Sequence, residues 1–319
     1  MGVETREWLA LLRSDYLEGY VREGGAAVKF AVVQDTMAGT ELLGEVERLA
    51  VSLDYVVARI DAAQVKVHLM QDLFHGVARR VPWRDLARQF VRESYRDLGI
   101  EVTDDDLTIE YVAATSRRDQ TILNVELRRK LEELLANSKE LGKDFRIAML
   151  WLCLAELSRP RGDSPDAQLI LDWLTGDLRL VSAVKRLLIF RKIGRHNARA
   201  MLSSLGSWCR LAGRPGLVLV IDIRQLMRAK RTEVGPEECY YTSAAVLDAY
   251  EVLRQLIDST DDTSGVFCVV LAEPGLFDDE RRGVKMYKAL YERIWPDVRL
   301  RERPNPLSSL AQLGHGTQA

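Results

Sequence analysis

A chain of 319 residues, 47% hydrophobic and 29% charged, can bury a large core, as one elaborated α/β domain or two ordinary ones. Its net charge of −2 gives no global attraction to nucleic acid or anionic lipid, so any such contact must come from a local cluster. The cysteines Cys153, Cys209, Cys239 and Cys268 form no C-x-x-C pair, which argues against a zinc knuckle or a dithiol redox motif and fits reduced thiols in a cytoplasmic protein.

The stretch TREWLALLRSDYLEGYVREGG reads as a helical lead-in stopped by Gly24-Gly25, because paired glycines end helices at little cost. AVKFAVV, Ala27 to Val33, is apolar and β-branched, as a buried strand of a parallel sheet should be. TELLGEVERLAVSL then places Leu42, Leu43, Val46, Leu49 and Ala50 at helical spacing, and YVVARIDAA follows as a second strand. Together they make a right-handed βαβ unit. Residues 65–211 read as helix after helix, broken by EVTDDDLTIE and SRPRGDSPD. LVLVIDI (Leu217 to Ile223) is the most strand-like run in the chain. The helix TSAAVLDAYEVLRQLIDST leads from it to a further strand, GVFCVVLAE, and then to PGLFDDERRG. The tail RPNPLSSLAQLGHGTQA reads as polar, fraying after Leu313. This order predicts an α/β fold with a three-layer parallel sheet and a large helical insertion: a first βαβ unit over 1–64, the insertion over 65–211 and the rest of the core over 212–319. The longest apolar run, Ile147 to Leu154, is far short of the roughly 20 residues that span a bilayer, and no basic-then-apolar leader opens the sequence; no membrane contact is expected.

Ligands of such a sheet sit at the carboxyl ends of its strands. A phosphate loop has the form GxxxxGK[ST], in which glycines admit the backbone to phosphate, lysine neutralises charge and the hydroxyl holds magnesium. Val33 to Thr40, VQDTMAGT, puts Val33 and Ala38 at the glycines and Gly39 at the lysine, so only Thr40 survives. Asp222 closes LVLVID where a nucleotide hydrolase holds magnesium, but Ile223 stands where a water-polarising glutamate usually follows. Glu273 occupies the end of the next strand, where a polar residue could sense a γ-phosphate.

The stretches GGAAVKF, YVVARIDAA, GLVLVID, AYEVLRQLIDS, DDERRGVKMYKALYERI and RPNPLSSL, in this order and at this spacing, resemble the ATP-binding P-loop proteins associated with BREX phage-defence systems, relatives of AAA+ and STAND ATPases. The resemblance covers nearly the whole chain and is strongest from about Leu171 onward. It implies a P-loop NTPase-like fold, and for intact members a GDYGSGKT-like loop after VKF, an aspartate-glutamate pair after the central strand, and ATP binding and hydrolysis with magnesium. This sequence departs at both motifs while keeping the scaffold. The expectation is therefore a pseudo-ATPase without a cofactor, with Gly39, Thr40, Asp222 and Glu273 as vestiges of a nucleotide site and no catalytic residue. It would serve as a structural or regulatory subunit, with an active ATPase or another defence-complex subunit as partner. The alternative is an atypical active ATPase that uses ATP with magnesium.

Two clusters stand outside that frame. Arg281-Arg282 resembles the place from which AAA+ proteins reach a neighbour's nucleotide, and is a candidate arginine finger or interface. Lys185, Arg186, Arg191, Lys192, Arg195 and Arg199, with His196, are candidate nucleic-acid contacts and give a third reading, a nucleic-acid-binding module independent of nucleotide. His68, His75, His196 and His315 lack metal-ligand spacing, Ser203, Ser204 and Ser207 lack a nucleophile-elbow frame, and Trp151, Trp173 and Trp208 read as core.

Overall fold

The computed structural model describes residues 2–103, 106–158, 164–295, 299–300 and 303–314. The chain divides into two compact units, Met1–Arg80 with Pro215–Ala319, and Val81–Arg214.

The first unit is built on a six-stranded sheet of β1 (Val3–Glu4), β2 (Ala26–Val33), β3 (Val56–Asp61), β4 (Leu217–Asp222), β5 (Val266–Ala272) and β8 (Leu310–Gly314). A short antiparallel pair, β6 (Arg299–Leu300) and β7 (Arg303–Pro304), precedes the last strand. The order is β1-β8-β2-β5-β4-β3, and every pair is parallel. β4 and β5 are buried at every position, which is why both read as unbroken runs of Val, Leu and Ile. β3, at the edge, alternates buried and half-buried residues. Val32 pairs with Ala272, Leu271 with Asp222 and Asp222 with Asp61, so the carboxyl ends of these strands lie level. From β2 the chain crosses to the far edge, returns through β4 and β5, and passes beyond β2 to β8. Strand order therefore reverses at β2, the position where open α/β sheets bind ligands.

One face of the sheet is covered by α1 (Thr5–Leu11), its π-helical continuation Leu12–Tyr20, and α2 (Thr36–Ser52). Trp8, Leu12, Leu17, Leu43 and Val46 pack there on Val218, Val220, Phe267 and Val269. Strand alternation turns Phe30, Ile221 and Val270 to the other face. α3 (Met70–Ala78) packs on β3, where a Cβ on Gly76 would lie 3.2 Å from the Ile60 side chain. α3 thus lies in the same compact unit as the sheet, and the other unit runs from Val81 to Arg214. Lys29, in the middle of β2, is buried yet donates from Nζ to the carbonyls of Leu307 (2.6 Å) and Ser308 (3.1 Å), and lies over the Tyr16 ring.

The second unit comprises α4 (Trp83–Asp97), α5 (Ile109–Ser116), α6 (Gln120–Asn137), α7 (Lys143–Glu156), α8 (Pro165–Thr175) and α9 (Ala198–Leu211). Leu123, Leu127, Leu131 and Leu135 put one buried stripe on α6, whose first turn is capped by Asp119. Phe90 stacks near Trp208 and Trp83 near Phe145, giving the unit its own aromatic core. The remaining helices, α10 (Ser243–Asp258), α11 (Gly275–Asp278) and α12 (Lys288–Ile294), return to the first unit, with α10 against β2 and α12.

Two elements differ from the sequence expectation. The tail is not simply polar and loose: Leu310, Ala311 and Leu313 are buried in β8, between β1 and β2. Past Leu313, Gly314 still pairs with Glu4 in β8, while residues 315–319, His315 among them, lie outside the described residues. The punctuating stretch EVTDDDLTIE ends inside α5, begun by Ile109 and Glu110, while residues 104–105 and 159–163 are also outside the described set.

Candidate functional site

At the carboxyl end of β2 the chain turns through Gln34 and Asp35 into α2. Helix N-termini bind phosphate because their first amides have no partner within the helix. Here Asp35 Oδ1 takes two of them, accepting from Met37 N (2.6 Å) and Ala38 N (3.0 Å). Its carboxylate is an internal anion at the place a phosphate would take. Gly39 and Thr40 lie in the first turns of α2, and Thr40 Oγ1 donates back to the Thr36 carbonyl at 3.1 Å.

At the end of β4, Asp222 is buried and fully engaged. Arg224, two residues on in a short 3-10 turn, curls back so that its backbone N and Nε donate to Oδ1 (3.1 and 3.0 Å), with Nε and Nη2 on Oδ2 (3.1 and 2.6 Å). The same guanidinium crosses to α2: Nη1 donates to Thr36 O at 2.8 Å and Nη2 to Thr40 Oγ1 at 3.3 Å. It bridges the carboxylate and the hydroxyl that hold magnesium in a phosphate-loop protein. Gly39 makes this approach possible, since a Cβ there would lie 3.0 Å from Nη1 and 3.3 Å from the Leu271 side chain. The hydrogen bond to Asp222, reinforced by the charges of Asp61 and Glu273, holds the Arg224 pKa above its ordinary value.

The remaining strand ends are also occupied. Glu273 lies 3.8 Å from Arg228, and Asp61 Oδ1 accepts from Ala63 N at 2.8 Å. Asp35, Asp61, Asp222 and Glu273 stand near Arg224, Arg228 and, beside Asp61, Arg80, so acids outnumber guanidiniums among these side chains. Next to them a cleft of about 410 Å³ opens at the ends of β2, β5 and β8, lined by Val32, Gln34, Phe277 and Gln312 among others, with Asp278 its one ionic side chain. These residues do not fit a magnesium-bound triphosphate: the amides are capped by a carboxylate, Gly39 stands where the loop's lysine would be, and the metal-holding pair already shares a guanidinium.

The arginine pair separates. Arg282 is 5% exposed, donating from Nε to Leu226 O (2.7 Å) and from Nη2 to Tyr241 O (2.6 Å), while its own carbonyl accepts from Tyr250 Oη. This corrects the expectation for Arg282, a buried tie between loops with no reach to a neighbour. Arg281 is exposed, its backbone N donating to Asp279.

In the helical unit, Lys185, Arg186, Arg191, Lys192, Arg195 and Arg199 are all exposed, as is His196. Arg186 pairs with Asp166, and Lys192 Nζ donates to Arg179 O at 2.8 Å. Trp173 and Trp208 are core; Trp151 is half-buried, and its indole donates to Leu187 O at 3.2 Å. His68 is packed edge-on against Tyr241, and burial lowers its pKa. Among the described residues no cluster of His, Cys, Asp and Glu could hold a metal, and no helix is long and apolar enough to cross a membrane. Ser204 Oγ accepts from Gly142 N, and burial pushes the Cys209 and Cys268 thiols up to about 12.

Sequence reasoning missed Arg224. The pattern Asp-Ile-Arg at a strand end is the available signal, since a side chain two residues past a strand-end carboxylate can fold back onto it.

No curated protein and no solved structure matches the chain. The family model for BREX system ATP-binding protein BrxC/D matches residues 105–314, which takes in β4, β5 and β8 and leaves the Val33–Thr40 loop outside. With most of its length inside that match, and with an all-parallel P-loop-like sheet, the chain belongs to the BREX system ATP-binding protein BrxC/D family.

Proposed function

We propose that this chain is a nucleotide-independent subunit of a cytoplasmic phage-defence assembly, a pseudo-ATPase whose role is structural or regulatory. The observation that supports this most strongly is Arg224, a tethered cation between Asp222 and Thr40. With Asp35 on the helix amides, it gives the site intramolecular substitutes for both magnesium and phosphate. A site closed in this way holds the sheet together instead of turning over a ligand. What such a subunit offers is surface, and we place an ATP-hydrolysing relative as its partner, with Arg281 as the exposed arginine available to it.

Calorimetry with Mg-ATP on the purified chain should show no binding below millimolar concentration, and a hydrolysis assay no rate above background. Micromolar affinity would overturn the reading. A second reading rests on the same side chain: Arg224 could release Asp222 and take the lysine's part toward phosphate, making an atypical ATPase. In that case Mg-ATP at a hundred times its dissociation constant would stabilise the wild type by about 2.7 kcal/mol. The stabilisation would be lost in Arg224→Ala.

A further inference from the structure

The helical unit carries a second charged feature that the strand-end reading leaves unused. From Leu178 to Ile221 the sequence contains no Asp or Glu, while Arg179, Lys185, Arg186, Arg191, Lys192, Arg195 and Arg199 crowd its first half. In a chain of net charge −2 this is a pronounced local asymmetry. Among the described residues Arg186 has an ion-pair partner in Asp166, whereas Lys185, Arg191, Arg195 and Arg199 form no ion pair.

The backbone that carries these cations is irregular from Leu188 to Asn197 but firmly held. Val184, Leu187, Ile189 and Ile193 are buried anchors. Trp173 Nε1 donates to Arg191 O at 2.8 Å and Trp151 Nε1 to Leu187 O at 3.2 Å. Asn197 closes the following turn, accepting from Gly194 N at 2.8 Å and donating to Lys192 O at 3.2 Å. Before and between the anchors, side chains that would ordinarily be hidden face solvent: Leu180 at 69%, Leu188 at 60% and Phe190 at 57% exposure. Phe190 is the one exposed phenylalanine of the chain's seven; Phe30, Phe74, Phe90, Phe145, Phe267 and Phe277 are all buried. A pinned loop that presents an aromatic face amid unpaired guanidiniums has the two components of a single-strand site, a stacking platform and an electrostatic track. A basic segment with no acid of its own complements a polyanion, and the exposed ring distinguishes one whose bases are unpaired.

We propose that the segment from Arg179 to Arg199 binds single-stranded nucleic acid, with Phe190 stacking on a base and Arg191, Lys192, Arg195 and Arg199 following the phosphate backbone. This holds whether or not the strand ends bind a nucleotide. The test is fluorescence anisotropy of the full chain with a labelled oligothymidylate of about 16 nucleotides, read across a salt series. Four phosphate contacts give a slope of log K against log salt near −3, at about −0.7 per contact. Phe190→Ala should weaken binding about tenfold with the slope unchanged, since stacking carries no counterion release. The charge reversal Arg191→Glu/Lys192→Glu/Arg195→Glu should abolish binding. Thermal melting of each variant guards against unfolding, which the exposure of all four side chains makes a remote cause. A duplex of the same length that binds as tightly as the single strand, an unaltered affinity in Phe190→Ala, or poly-glutamate competing as well as the oligonucleotide would each overturn the proposal.

Discussion

The strand ends of the sheet and the Arg179–Arg199 segment are both rich in charge, and they treat it in opposite ways. At the strand ends the charges are engaged within the chain: Arg224 on Asp222, Arg228 toward Glu273, Asp35 on the amides of α2. In the segment, guanidiniums are held out into solvent by a loop whose apolar and indole contacts fix only the backbone. The difference teaches how one chain can spend some of its charges on its own fold and hold others out to solvent. Charges satisfied within the chain support stability. Charges left without internal partners are the ones that remain available for recognition.

The comparison breaks most readily at Arg224. Removing one partner of a buried ion pair leaves the other charge uncompensated, so Arg224→Ala should cost about 3–5 kcal/mol in urea unfolding, and Asp222→Ala a similar amount. The double variant should cost far less than the two single losses added together, because no charge is stranded. Full additivity would show that the strand ends are not closed by this pair.

Lys29 sharpens the point from inside the sheet, as a buried cation satisfied only by carbonyls and a ring. Burial lowers its pKa from 10.5 to about 8. Between these values the unfolded chain holds the proton and the folded chain does not, so this group's contribution to stability rises with pH through that window and is least favourable below about 8. Wild type measured against Lys29→Met should therefore gain up to about 3 kcal/mol between pH 7 and pH 10.5. A difference that stays flat with pH would mean the ammonium titrates as if in water.

What could be read from the sequence follows the same division. β2, β4 and β5 were legible because strands covered on both faces must be apolar throughout or nearly so, and β3 because its buried positions alternate. β8 was not, because LAQLG becomes a strand only through its backbone pairing with β1 and β2. The helix was read from Thr40 but begins at Thr36, and Asp35 as its cap went unread although Asp before a helix is a standard cap residue. Arg282 could not be seen to be internal, since its acceptors, Leu226 and Tyr241, lie 56 and 41 residues away along the chain and meet it only in the fold.

Asp35 offers the next smaller effect. Asp35→Ala removes two hydrogen bonds from the α2 amides and should cost about 1 kcal/mol, as loss of a helix cap does. It should confer no binding of inorganic phosphate detectable by calorimetry, because the neighbouring carboxylates of Asp61, Asp222 and Glu273 remain. Phosphate binding gained by this one substitution would show that a single cap, and not the field of the strand ends, keeps anions out.

The smallest effect is expected where the comparison predicts none. If the cations of the basic segment are exposed for recognition and not for support, reversing three of them should leave the fold alone. Arg191→Glu/Lys192→Glu/Arg195→Glu should unfold within about 0.5 kcal/mol of wild type, the range for surface changes away from caps, cores and buried networks. Relief of like-charge repulsion with Lys185, Arg186 and Arg199 acts in the stabilising direction, and loss of the Lys192 contact to Arg179 O acts against it. Both are small at the surface, and the backbone anchors, Ile189, Ile193 and the two indole hydrogen bonds, are untouched. A loss of several kcal/mol would place these side chains in the architecture of the helical unit and erase the contrast with Arg224. Retained stability with altered ligand binding would set the two regions apart by the measure that defines them, internal pairing against external reach.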